Sequence, residues 1–117
     1  MNIQCLKGLT LDGCRFSKGA YSLDFSGKIN GESKNFRVSS SYNLSSSKDE
    51  NDVEIRISSF LWEFLDSAII DAIEDSSNAA VIFIFEDGKR FTIWAEDDFD
   101  NLLIVTNSTT GQWFTVL

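Results

Sequence analysis

Histidine is absent from the chain. That removes the commonest general base, the usual Ser and Cys triads and most zinc sites. Proline is absent as well, which excludes a polyproline linker and proline-set turns. Only two cysteines occur, Cys5 and Cys14. Their C-x8-C spacing, with no histidine, is not a zinc site, and two free thiols are expected. No apolar run approaches the ~20 residues that cross a bilayer; the longest, Ala79 to Phe85, has seven. The start, Met1 to Gly8, lacks the apolar core of a signal peptide, so a cytoplasmic protein is expected.

What remains is the material of a folded domain. The chain has 117 residues, 43% hydrophobic and 24% charged, with ten Phe, three Trp and two Tyr. That is enough to build one core, so residues 1–117 are read as a single domain. Net charge is −8, and it is unevenly placed. Residues 1–58 carry eight basic and seven acidic groups, net +1; residues 59–117 carry two basic and eleven acidic groups, net −9. An acidic half of this kind repels nucleic acid and anionic membranes and attracts a basic protein.

The patterning is mostly that of strands. Cys14, Phe16, Tyr21, Leu23 and Phe25 alternate with polar residues about a turn at Lys18-Gly19-Ala20. Lys34–Ser40 places Phe36 and Val38 on one face, and Val53, Ile55 and Ile57 repeat the alternation. Between them, residues 43–52 are polar and are expected to form a mobile loop. Strands are further expected at Ala80–Phe85, Arg90–Ala95, Leu102–Thr106 and Trp113–Leu117. Turns fall at Glu86-Asp87-Gly88 and Asn107–Gly111. Residues 59–75 are ambiguous. A helical stripe from Phe60 to Ile73 competes with a short helix over 59–66 followed by a strand from Ala68 to Glu74.

Chemistry-bearing motifs are scarce. No nucleophile elbow or phosphate loop occurs. Eighteen acids in a small domain form carboxylate pairs by chance, so none marks a glycosidase. Glu96-Asp97-Asp98-Phe99-Asp100 lacks the spacing and glycine of a calcium loop. No enzyme, metal or cofactor is expected. The three tryptophans fit core packing, but Trp62 beside Glu63 and Trp94 beside the acidic segment also fit anchors for a basic partner through cation–π contact.

Residues 69–74 (Ile-Ile-Asp-Ala-Ile-Glu), followed by 81–93 with their Phe85-Glu86-Asp87-Gly88 hairpin, resemble small bacterial immunity proteins of polymorphic and contact-dependent growth inhibition toxin systems. The likeness spans roughly residues 60–106. It favours helix then strand over 59–75. The expected fold is therefore α+β: an antiparallel meander of about seven or eight strands with one short helix near 59–66. The resemblance implies a cytoplasmic inhibitor that covers a toxin domain, foremost a nuclease, whose cleft is basic because it holds phosphates. The expected contact residues are Trp62, Glu63, Asp66, Asp71, Glu74, Asp75, Trp94, Glu96, Asp97, Asp98 and Asp100. A small-molecule-binding β-fold and a subunit of a larger assembly are the alternatives.

Overall fold

The computed structural model describes residues 2–17, 20–40, 43–44, 62, 64–77, 80–94 and 103–116. It opens with one turn of 3-10 helix, η1 (Ile3–Leu6). Asn2 caps it, its side-chain oxygen accepting the Gln4 N–H at 2.8 Å. Among the described residues nine strands follow: β1 (Thr10–Ser17), β2 (Ala20–Ile29), β3 (Glu32–Ser40), β4 (Asn43–Leu44), β5 (Ile69–Asp75), β6 (Ala80–Phe85), β7 (Arg90–Trp94), β8 (Leu103–Asn107) and β9 (Trp113–Val116).

The strands form two antiparallel sheets, in the orders β1-β2-β3-β8-β9 and β4-β7-β6-β5. This corrects the single meander expected from sequence. The chain leaves the first sheet after β3, builds the second, and returns at β8, which pairs with β3 through Val38 and Val105. Strand alternation is local and carries no information on which sheet a strand joins. The polar loop expected at 43–52 is corrected at its start, where Asn43 and Leu44 pair with Trp94 and Ile93. The rest of that loop and the strand at 53–57 lie outside the described residues. So does most of the helix expected over 59–66, of which Trp62 is helical and Phe64 sits in a turn. The strand expected from Ala68 to Glu74 is present as β5.

Two hairpins show how local chemistry sets register. Ile29 pairs with Glu32 across Asn30-Gly31, whose φ values of 54° and 82° are those a two-residue hairpin needs. The turn at Glu86-Asp87-Gly88 closes with Gly88 at φ 84° and its N–H donating to the Phe85 carbonyl at 2.9 Å.

One core fills the space between the sheets. Leu23, Phe25, Phe36 and Val38 of the first sheet meet Val81, Phe83, Phe85, Phe91 and Ile93 of the second. Phe25 stacks on Phe83 with ring centroids 6.0 Å apart, and Phe91 lies 5.0 Å from Phe83. Phe64 meets Phe91 edge-on at 5.2 Å, which anchors the segment entering β5. Gly27 packs closely here, since a Cβ there would lie 3.2 Å from Leu9 Cδ2 and the leucine would have to shift by a few tenths of an ångström. The sheets are also stitched at one side. Leu11 bridges to Leu65, and Thr10 to Ala68.

Candidate protein-binding surface

Between Arg56 and Lys89 the sequence has no basic residue. The structure turns that gap into a surface. The segment entering β5 and β5 itself expose Trp62 (77%), Ile70 (51%) and Ile73 (40%). Asp66 and Glu74 are exposed among them, and Asp71 and Asp75 are half-buried. Among the described residues no cation pairs with Asp66, Asp71 or Glu74.

Each position has a local cause. Asp66 adopts φ 66°, a left-handed conformation that Asp tolerates better than most residues. Its N–H donates to the Leu11 carbonyl at 2.9 Å, fixing the turn where the chain swings into β5. A bulge between Ile69 and Asp71 then inserts Ile70 as an extra residue opposite β6. Bulges re-aim side chains, and here Ala72 is the next residue after Ile69 to be buried, while Ile70 and Ile73 are both exposed. Beyond the bulge, Asp71 and Ile73 pair with Ile84 and Ile82, all on the face opposite the core. The result is an isoleucine strip with acids interleaved.

The backbone edge of β5 is occupied at Ile69 and Ala72. Ile69 donates its N–H to Leu9 O and accepts from Gly8 N–H, both at 2.8 Å. The Ala72 N–H donates to Asp71 Oδ1 at 2.9 Å, and its carbonyl accepts from the Gln4 side chain. A groove of about 400 Å³ remains between Asn2–Gln4 and Asp71–Glu74. A partner meeting this region therefore meets side chains rather than an open ladder.

The outer face of the first sheet differs. Arg37 Nε lies 2.9 Å from Asp24 Oδ1, and Arg15 Nε 3.7 Å from Asp24 Oδ2. Register places Asp24 between Gly13 and Arg37 on adjacent strands, so these charges compensate one another. The hollow beside them, of about 240 Å³, has Asp12, Arg15, Asp24, Asn35 and Arg37 in its wall, unlike the apolar wall of a small-molecule site.

Sequence reasoning missed Trp113. It reads as a core residue, yet it is 64% exposed and pairs with Thr106 on the solvent face, one strand from Arg37. Its alternation with buried Val116 and half-buried Phe114 was the available signal. Of the expected contacts, Trp62, Asp66, Asp71, Glu74 and Asp75 fall on the one segment, 62–75. Trp94 ends β7 in register with Ala80 and Asn43. Glu63, Glu96, Asp97, Asp98 and Asp100 lie outside the described residues.

Neither cysteine forms a disulfide, and both thiols are half-buried. Burial pushes the Cys5 thiol up to about 11, and burial with nearby Asp24 raises Cys14. Both are thereby held as weakly nucleophilic thiols at neutral pH. Among the described residues no three of Cys, Asp and Glu converge to hold a metal ion, and no helix is long and apolar enough to cross a membrane. The chain matches no family model, no curated protein and no solved structure.

Proposed function

We propose that the protein is a cytoplasmic immunity protein that binds and neutralises a cognate toxin domain, a basic nuclease foremost, through its acidic second half. The observation that carries this reading is the 62–75 segment. Trp62, Ile70 and Ile73 are exposed along a stretch of chain that also carries Asp66, Asp71 and Glu74, with no described cation pairing with those acids. Apolar side chains of this kind supply the buried centre of an interface, and the charges around them set steering and partner choice. A basic nuclease cleft accepts carboxylates where it would hold phosphates. The resemblance over roughly residues 60–106 points to the same role. An α+β form with a short helix over 59–66 belongs to this reading, and the helical backbone of Trp62 supports it.

The test is a pull-down against the C-terminal domain of the protein encoded immediately upstream, at low and high salt, followed by a nuclease assay. The reading expects capture that weakens as salt rises and loss of nuclease activity on capture. No capture at either salt overturns it.

A further inference from the structure

The sheet edges are finished in opposite ways. At β5 the outward groups of Ile69 and Ala72 are taken by Gly8, Leu9, Gln4 and Asp71. At β9 only β8 stands alongside among the described residues. The direction of its free groups follows from two bonds. Asn107 donates its N–H to Gln112 O and accepts at its carbonyl from Gly111 N–H, both at 2.8 Å, so both its backbone groups point to the β9 side. Antiparallel pairs alternate. Phe114 and Val116 therefore turn their N–H and C=O groups toward β8, and Trp113 and Thr115 turn theirs away from it. Those same two residues have exposed side chains. The strand Trp-Phe-Thr-Val has no charge, proline or bulge, the usual guards of an edge.

We propose that β9 pairs antiparallel with β9 of a second copy of this chain, about a two-fold axis passing through Phe114. In that register Trp113 faces Thr115 of the partner subunit, and Thr115 faces Trp113 of the partner subunit. Each of these pairs exchanges two N–H···O bonds, so every outward backbone group of Trp113 and Thr115 in both copies is satisfied. The five-stranded sheet becomes ten-stranded. The row on the solvent face then runs Thr106, Trp113, Thr115 of the partner subunit, Ile104 of the partner subunit. That row sets Trp113, 64% exposed in the single chain, beside Thr115 of the partner subunit.

Charge selects a second copy over an unlike partner. From Leu103 to Val116 there is no Asp, Glu, Lys or Arg, in a chain of net charge −8. Two acidic molecules meet here without local repulsion, and a charged partner finds nothing to pair with. The pairing is short, below the standard interface size, so the dimer forms at high concentration and dissociates on dilution.

The experiment is sedimentation velocity on the full chain from micromolar to millimolar, with amide hydrogen exchange at both ends of the range. The expected mass rises from 13.1 kDa toward twice that value. The Trp113 and Thr115 amides gain protection as it does, whereas Phe114 and Val116 are protected throughout. Thr115→Pro deletes an outward N–H and spares the β8 ladder, so it stays monomeric. Thr115→Lys, which keeps the N–H and adds an edge charge, also stays monomeric with an unchanged circular dichroism spectrum. A wild-type chain that is monomeric at millimolar concentration overturns the proposal. So does a folded Thr115→Lys chain that assembles as wild type does, or slowed exchange elsewhere in place of Trp113 and Thr115.

Discussion

The β5 side and the β9 side of the molecule both expose large apolar side chains, and they prepare them for different encounters. Along β5, Ile70 and Ile73 neighbour carboxylates in the chain, and the backbone edge is closed at Ile69 and Ala72 by the Gly8–Leu9 segment, Gln4 and Asp71. Along β9, Trp113 and Ile104 sit in an uncharged stretch and the backbone edge is open among the described residues. The contrast teaches that exposure alone does not define an interface. The charge around an apolar side chain and the state of the adjacent backbone decide what is able to dock there.

Disturbing the frame shared by both sides should have the largest effect. Phe83→Ala removes a fully buried ring that contacts Phe25 and Phe91, and should cost about 3–5 kcal/mol in urea denaturation. It should weaken the proposed toxin binding and the proposed β9 pairing together. Neutralising the exposed acids should separate the two sides. The double variant Asp66→Asn, Glu74→Gln keeps side-chain shape, and Asn tolerates the left-handed backbone at 66. Stopped-flow mixing with the proposed basic toxin domain should show association slowed about ten-fold at low salt, with β9 pairing unchanged.

Smaller effects sharpen the contrast further. Gln4→Ala frees the Ala72 carbonyl and should cost about 1 kcal/mol by thermal or urea unfolding. Arg37→Met breaks a pair whose partners are both partly exposed, and should cost under about 1 kcal/mol with toxin binding unchanged. The thiol of Cys5 adds an alkaline signature. Its folded value of about 11 lies above the ordinary 9.0, so between these values the unfolded chain binds fewer protons than the folded one. Stability contributed by the neutral thiol is present below pH ~9 and falls as pH rises toward about 11. Urea midpoints measured across that window should decline, and Cys5→Ala should flatten the decline.

Much of the fold was legible in the sequence where period-two alternation met a turn signal. Phe36 and Val38 in β3, and the Phe85–Arg90 hairpin with its Asp-Gly turn, are examples. Asn30-Gly31 was an equally plain signal, and it extends β2 to Ile29 and starts β3 at Glu32. The division into two sheets was not legible, because the β3–β8 pairing joins residues far apart in sequence and depends on where the shared core forms. The acidic stretch from Trp62 to Asp75 was visible as charge, but its isoleucines were not visible as surface. An alternating strand that buries Ile69 already turns Ile70 outward but would also bury Ile73, and only the bulge puts Ala72 in the core and Ile73 on the surface. The Gln4 bond that closes the β5 edge spans 68 residues, and no local pattern announces it.

The most direct test is isothermal titration of the proposed partner, the C-terminal domain encoded immediately upstream, with wild-type protein and with the Asp66→Asn, Glu74→Gln variant across a salt series. Docking through the acidic strip predicts that wild-type affinity falls steeply with salt, and that the variant binds more weakly at low salt and with a shallower slope. Equal affinities and equal slopes for the two proteins would contradict it.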